Sequence, residues 1–445
     1  MNQSHETSLS RREFHRLLAM AGMGGAAVSI LGAVPRSAAQ SSQPTRIQPR
    51  PGTEPPAAPA AAGPTSLIDL ALRRGRTRDW TLKVAVDLNS YQRTGLNGGP
   101  PDSVTVVPFK FAAAAILFPV LASTAASQTA VKSVASRLRF DQREQAIVPT
   151  VLDGLHSGAR FARWDTGAME GRDITIEVDI PLTCWELAFD ERAASIARWA
   201  PGGRWPAVAL STFGPQMGVE NGPVVTELVA QWSDRKPPTN VPPVTLAKYL
   251  AGKTLEHVQP SGDGLTSART GLLQGFDLRG SERTLAEGRG SEHDIACAMA
   301  AVYRAAGLPC RTVIGLDLTE SKGQDQGLGG SSSEKIRSWV ELGLCDEKAE
   351  KITWIPVDVY RQRKSSSKAP AYTQAWKWFG NNEDTDDVLP IAFHYHPPAQ
   401  VIAHGSPAFW GWTTTPQAQI AEQAVRLTAI TTPIRGERPG DRPLK

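Results

Sequence analysis

The chain has 445 residues, of which 41% are hydrophobic and 21% charged, with a formal net charge of +4. That length supports a sizeable core divided over two or three domains, and the composition excludes collagen-like, coiled-coil and wholly disordered chains. Lys and Arg exceed Asp and Glu by only 48 to 44, with no basic stripe, so nucleic acid is not an expected partner. No apolar run reaches the roughly 18 residues that a membrane-spanning helix needs.

The first element in chain order is an address. Arg11 and Arg12 precede an apolar stretch diluted by Gly22, Gly24, Gly25 and Gly32, which ends in the small residues Ser37, Ala38 and Ala39. This reads as a twin-arginine export signal over 1–39, and it predicts a periplasmic or secreted protein. Residues 40–64 are rich in Pro, Ala, Ser and Gln and read as a semi-extended linker. The four cysteines, Cys184, Cys297, Cys310 and Cys345, form no C-x-x-C pair. A zinc knuckle is therefore not expected, whereas an oxidising compartment permits disulfides.

Residues 65–186 read as a β-sandwich. The runs 80–88 and 173–180 alternate apolar and polar positions, 113–121 is short and apolar, and Gly, Pro, Asn and Asp separate them. From 187 to 290 the pattern is mixed, with helical periodicity over 220–233, 246–255 and 281–287. Ser291 and Asp294 then form a capping box. Positions 295–306 are apolar at nearly every step, which predicts a centrally buried helix. Gly307 stops it and Pro309 follows. Strands are predicted at 311–318, 337–344 and 353–358, with a polar loop over 319–335. A buried helix followed by an antiparallel meander is an α+β layout. The tail from 416 reads as one short helix, 417–427, followed by a disordered end to 445.

Several blocks carry a family likeness. Gly290, Ala296, Tyr303, Arg304, Gly307, Pro309, Arg311 and Gly315 resemble the core of the transglutaminase-like superfamily. Ser338, Trp339, Val340 and Glu341, then Trp354 to Asp358, resemble the next two blocks, and Trp378 to Asn381 with Leu389 to Phe393 the closing one. The likeness implies a papain-like domain over 187–415, preceded by the sandwich. It also implies a cysteine nucleophile at the N-terminus of the buried helix, a histidine opening the next strand, and an aspartate that orients it. Here those positions hold Glu292, Arg337 and Asp358. Only the aspartate matches. Arginine cannot act as a base.

The replacements preserve the charge sum of an active triad. This predicts that Arg337 bridges Glu292 and Asp358 as a structural ion network. Cys297 lies five positions along the same helix, about 140° from Glu292, and reads as core. Ser291 reads as the cap. A rival reading is a divalent metal held near Glu292, His293 and Asp294, or by His394, His396 and His404; the bland alternative is a set of non-ligating histidines, and no metal or cofactor is assigned. Trp376, Trp378, Phe379, Tyr395, Phe409, Trp410 and Trp412 either fill a core or line a groove. Strand pairing centred on the 319–335 loop sets Cys310 against Cys345 and predicts a disulfide there; Cys184 and Cys297 have no assigned partner. The leading expectation is an exported, non-catalytic transglutaminase-like protein that binds a peptide, a protein or cell-wall material. The alternative is an active acyltransferase or peptidase that uses non-standard residues or a bound metal.

Overall fold

A computed structural model describes residues 71–93, 104–141, 143–200, 203–268, 270–319, 336–346, 351–396, 408–416 and 421–431. The expected export leader (1–39) and linker (40–64), most of the 319–335 loop, His404 and the end of the tail lie outside the described residues.

Period-two alternation builds the largest sheet. Its main path runs over β1 (Leu72–Arg93), β3 (Ala135–Phe140), β4 (Arg143–Ala146), β7 (Asp173–Phe189), β8 (Leu265–Ser267), β9 (Leu273–Phe276) and β15 (Ala421–Thr431), in spatial order β8-β9-β15-β1-β7-β3-β4, and the short strands Val104–Val106 and Ser127–Thr129 pair with β1 and β7. Leu82, Val84, Val86 and Leu88 of β1 face Ile180, Val178, Ile176 and Ile174 of β7, so apolar residues pair with apolar residues along the shared edge. All eight are buried, each worth about 1.5–3 kcal/mol relative to exposure. A second sheet joins β2 (Ala113–Pro119), β5 (Thr150–Leu152), β6 (Phe161–Thr166) and β14 (Gly411–Thr415) in the order β14-β2-β6-β5. Trp164 and Trp412 from this sheet pack in the same core as Leu88 and Ile174 from the first.

Two expectations need correction here. The helix expected over 417–427 is not formed where the chain is described: residues 421–431 are a strand, in register with β1 over eleven pairs. Nor is the sandwich confined to 65–186, because β8, β9, β14 and β15 return from later in the chain to complete its sheets.

The helices α1 (Pro223–Trp232), α2 (Pro243–His257) and α3 (Ser281–Glu287) lead to α4 (Glu292–Ala305). Every residue of α4 from His293 to Arg304 is buried, as its apolar circumference requires. It packs on an antiparallel sheet of β10 (Cys310–Asp317), β11 (Ile336–Asp346), β12 (Lys351–Val357) and β13 (Val388–Ala392), in the order β12-β11-β10-β13. Helix α5 (Val359–Ser365) follows β12 directly.

The predicted Cys310–Cys345 bridge is not formed. None of the four cysteines is in a disulfide, and all are buried. In the β10–β11 register Cys310 lies opposite Leu342, and Cys345 faces Ile352 on the other neighbour, β12. The pairing is offset by three residues from one centred on the loop, and that offset carries Cys345 past the end of β10. Of the seven aromatic residues weighed for a groove, Trp376, Phe379, Tyr395, Phe409, Trp410 and Trp412 are buried in the core, and Trp378 is half-buried.

Candidate functional site

The start of α4 sets the site. Ser291 caps the helix: its Oγ accepts from the Asp294 amide at 3.2 Å, and Asp294 Oδ2 accepts from the Ser291 amide at 3.0 Å. The loop above approaches so closely that a Cβ on Gly264, at φ +68°, would stand 2.3 Å from Ser291 Oγ. Only glycine fits that backbone. Glu292 thus lies at the first helical position, where the positive end of the helix favours a carboxylate by about 0.3–1 kcal/mol. Its Oε1 accepts from the Ser338 amide on β11 at 3.1 Å.

Alternation along β11 sends neighbouring side chains to opposite faces. Ser338 Oγ meets His293 Nδ1 at 2.8 Å on the helix side. Arg337 turns the other way and is only 3% exposed. Its Nε and Nη2 both donate to Asp358 Oδ2, at 3.0 and 2.6 Å. Asp358 Oδ1 accepts instead from the Arg361 amide at 2.8 Å and caps α5. One carboxylate therefore holds the strand β11 and starts the helix. Arg337 Nη1 lies 3.7 Å from Asp317 Oδ2 and, among the described residues, has no hydrogen-bond partner. Arg361 is also paired with Asp317.

The expected three-membered bridge is therefore partly wrong. Arg337 reaches Asp358 and Asp317 but makes no ion pair with Glu292. The register explains this. Glu292 points at the β11 backbone beside the guanidinium, and the Ser338 amide takes the carboxylate. Asp317, Arg361 and Ser338 are members of the cluster that the sequence reading missed. Asp317 had one available signal: it ends the strand that pairs beside Arg337.

The electrostatics follow from burial. Desolvation, with Asp358 close by, pushes the Glu292 carboxyl up to about 8, against the pull of Arg337. Burial opposes the charge on Arg337, yet Asp358, Asp317 and Glu292 together hold its proton more firmly than usual. His293 is enclosed by Phe276 and Tyr395, with ring centroids at 4.7 and 6.0 Å, and burial drops its imidazole to about 3. It is a neutral core histidine. Burial raises the Cys297 thiol well above its ordinary range, which disfavours the thiolate that a nucleophile needs.

The three acidic and imidazole side chains considered for a metal diverge. Asp294 caps its helix, His293 turns to Ser338, and Glu292 turns to the strand backbone. His394 Nε2 lies 2.9 Å from the His156 carbonyl. Among the described residues no group of three His, Cys, Asp or Glu side chains gathers to hold an ion.

Arg337, Trp339, Pro356, Asp358, Trp378 and Thr385 line a recess beside the ion pair. Its interior volume is about 10 Å³, at the threshold for a single water. The side chains that line this recess leave little interior space.

Residues 274–359 match the family model of the transglutaminase-like superfamily. The chain carries a transglutaminase-like core. It is similar in structure to "a putative cysteine protease" from Cytophaga hutchinsonii, at 11% identity and a TM-score of 0.46, over 82% of this chain and 93% of that one. It also matches "a putative protease" from Parabacteroides distasonis ATCC 8503 at 10% identity and a TM-score of 0.19, over 62% and 58% of the two chains. A search of curated proteins finds no match. The transglutaminase-like core here comprises α4 and the strands β10 to β12. Glu292 begins its helix, Arg337 lies near the start of its second strand, and Asp358 follows its third.

Proposed function

We propose that this protein is an exported, non-catalytic transglutaminase-like protein that works by binding a peptide, a protein or cell-wall material. One observation carries the reading. The residue in the base position, Arg337, is held by two hydrogen bonds to the aspartate that would otherwise orient a histidine, and the nucleophile position holds a carboxyl group. A guanidinium cannot take a proton from a nucleophile. The Glu292 carboxyl, protonated over much of the neutral range, is a poor nucleophile. The twin arginines of the leader support export.

The test is turnover. Purified protein incubated with casein and a dansylated amine is expected to give neither incorporation nor cleavage, with or without iodoacetamide. Thiol-independent turnover that Glu292→Gln abolishes would overturn the reading. It would establish instead an acyltransferase or peptidase that uses Glu292, a reading favoured by the strongly shifted carboxyl beside a fixed cation.

A further inference from the structure

Charge is distributed unevenly in this chain. Residues 359–382 contain Arg361, Arg363, Lys364, Lys368 and Lys377 and no carboxylate, whereas the whole chain carries only +4. The same segment forms the rim of the recess. There the half-buried Trp378 is met by three cations, with Lys377 Nζ 4.9 Å, Arg361 Cζ 5.5 Å and Arg337 Cζ 5.7 Å from its ring centroid. One turn along α5 from Arg361, the Lys364 Nζ lies 5.5 Å from the Tyr360 ring. Arg337 and Arg361 have carboxylate partners. Lys364 and Lys377 are exposed, and among the described residues no carboxylate pairs with either.

We infer that this rim, centred on Trp378 with Lys377, Arg361, Lys364 and Tyr360, is a docking surface for an anionic polysaccharide. The inference rests on the binding reading above and names the class of ligand. Two observations favour a polysaccharide over an acidic peptide. Peptides are recognised by strand addition at an open sheet edge, by grooves and pockets for their side chains or, for acidic motifs, by clustered arginines, and here both arginines beside Trp378 are already paired with carboxylates. The edge of the core sheet is closed at this point, because Gly380 donates to the Pro356 carbonyl at 2.8 Å and Asp358 donates to that of Trp378 at 2.9 Å. The recess also admits no side chain. A carboxylated sugar ring needs neither feature. Its C–H face stacks on an indole, and its carboxylate meets an adjacent ammonium.

The experiment uses the full chain on immobilised polygalacturonate, with methyl-esterified polygalacturonate and poly-glutamate as comparison matrices. Retention on the free acid is expected at low salt, with release as screening rises, and no retention on the ester. Lys364→Glu/Lys377→Glu is expected to weaken binding about tenfold or more. Trp378→Phe keeps the charge and a ring and is expected to abolish the ligand-induced change in indole fluorescence. Circular dichroism establishes that each variant is folded. Equal retention on poly-glutamate, or binding indifferent to Trp378, would reduce the surface to charge alone and overturn the inference, as would no retention on any matrix. Preference for poly-glutamate would assign an acidic polypeptide instead. Turnover of casein is scored separately, so loss of the non-catalytic reading and loss of this one are distinguishable.

Discussion

Asp358 shows how one side chain can serve two elements. Its Oδ2 accepts from Nε and Nη2 of Arg337, and its Oδ1 caps α5. Glu292, beside them, has the opposite character. Its carboxyl is raised from an ordinary 4.5 to about 8, so the folded state holds its proton more tightly than the unfolded one. The resulting stabilisation is fully present below about 4.5 and is lost as pH rises through 8. His293 and His394 act in the other direction. Burial lowers them from 6.5 to about 3 and about 4, so their contribution is present above 6.5 and is lost as pH falls through those values. Stability is therefore expected to peak in the mildly acidic to neutral range. Glu292→Gln keeps an acceptor for the Ser338 amide and removes the charge. The variant should gain on wild type by about 2 kcal/mol between pH 5 and 9, allowing for screening at a half-buried site. Urea unfolding at both pH values checks this. A difference that does not change with pH would mean that Glu292 is ionised in the fold.

At the scale of elements, the helix that carries Glu292 was legible because local and global signals agree: a capping box, an apolar circumference and a Gly stop all point one way. The strands β10, β11 and β12 were legible from alternation and from the family blocks. Their register was not, because no local signal in the polar loop between β10 and β11 counts residues. The Cys310–Cys345 pairing failed for that reason. Strand β15 was misread because Ala421, Glu422, Gln423, Ala424 and Arg426 are good helix formers, whereas the run from Val425 to Thr431 favours a strand. Tertiary pairing decided the outcome. Val425 and Leu427 lie opposite Val86 and Val84 and fill the buried face of β1. Deleting 421–445 would leave β1 an open edge for most of its length and would strip that face. The truncated protein is expected to be insoluble or to bind a hydrophobic dye, while deletion of 432–445 should leave solubility unchanged. A soluble, cooperatively folding 1–420 chain would refute the argument.

At the scale of the whole molecule, the sandwich and the transglutaminase-like core are joined by buried charge rather than by apolar packing alone. Arg311 on β10 is 3% exposed and Glu341 on β11 is 1% exposed, with Nη2 2.7 Å from Oε2. The pair then reaches across to the sandwich. Glu341 Oε1 accepts from the Ala125 amide at 2.8 Å, and Arg311 Nη1 donates to the Ser157 carbonyl at 3.0 Å. The guanidinium lies between Trp354 and Phe393, with centroids at 4.1 and 3.9 Å. Arg78 and Trp80 of β1 make a second junction, to Asp387 and to the Asp386 carbonyl. Removing one member of a buried pair leaves the other charge without compensation and costs about 3–5 kcal/mol. Glu341→Ala should therefore lower stability by about that amount. Because its carboxylate bonds both layers, the loss should be shared by the whole structure. Far-ultraviolet dichroism, which follows the strands of both parts, and tryptophan fluorescence should move together in a single transition at lower denaturant. Separate transitions, with only one shifted, would mean that the two parts unfold independently and that this pair fixes their packing without coupling their stability.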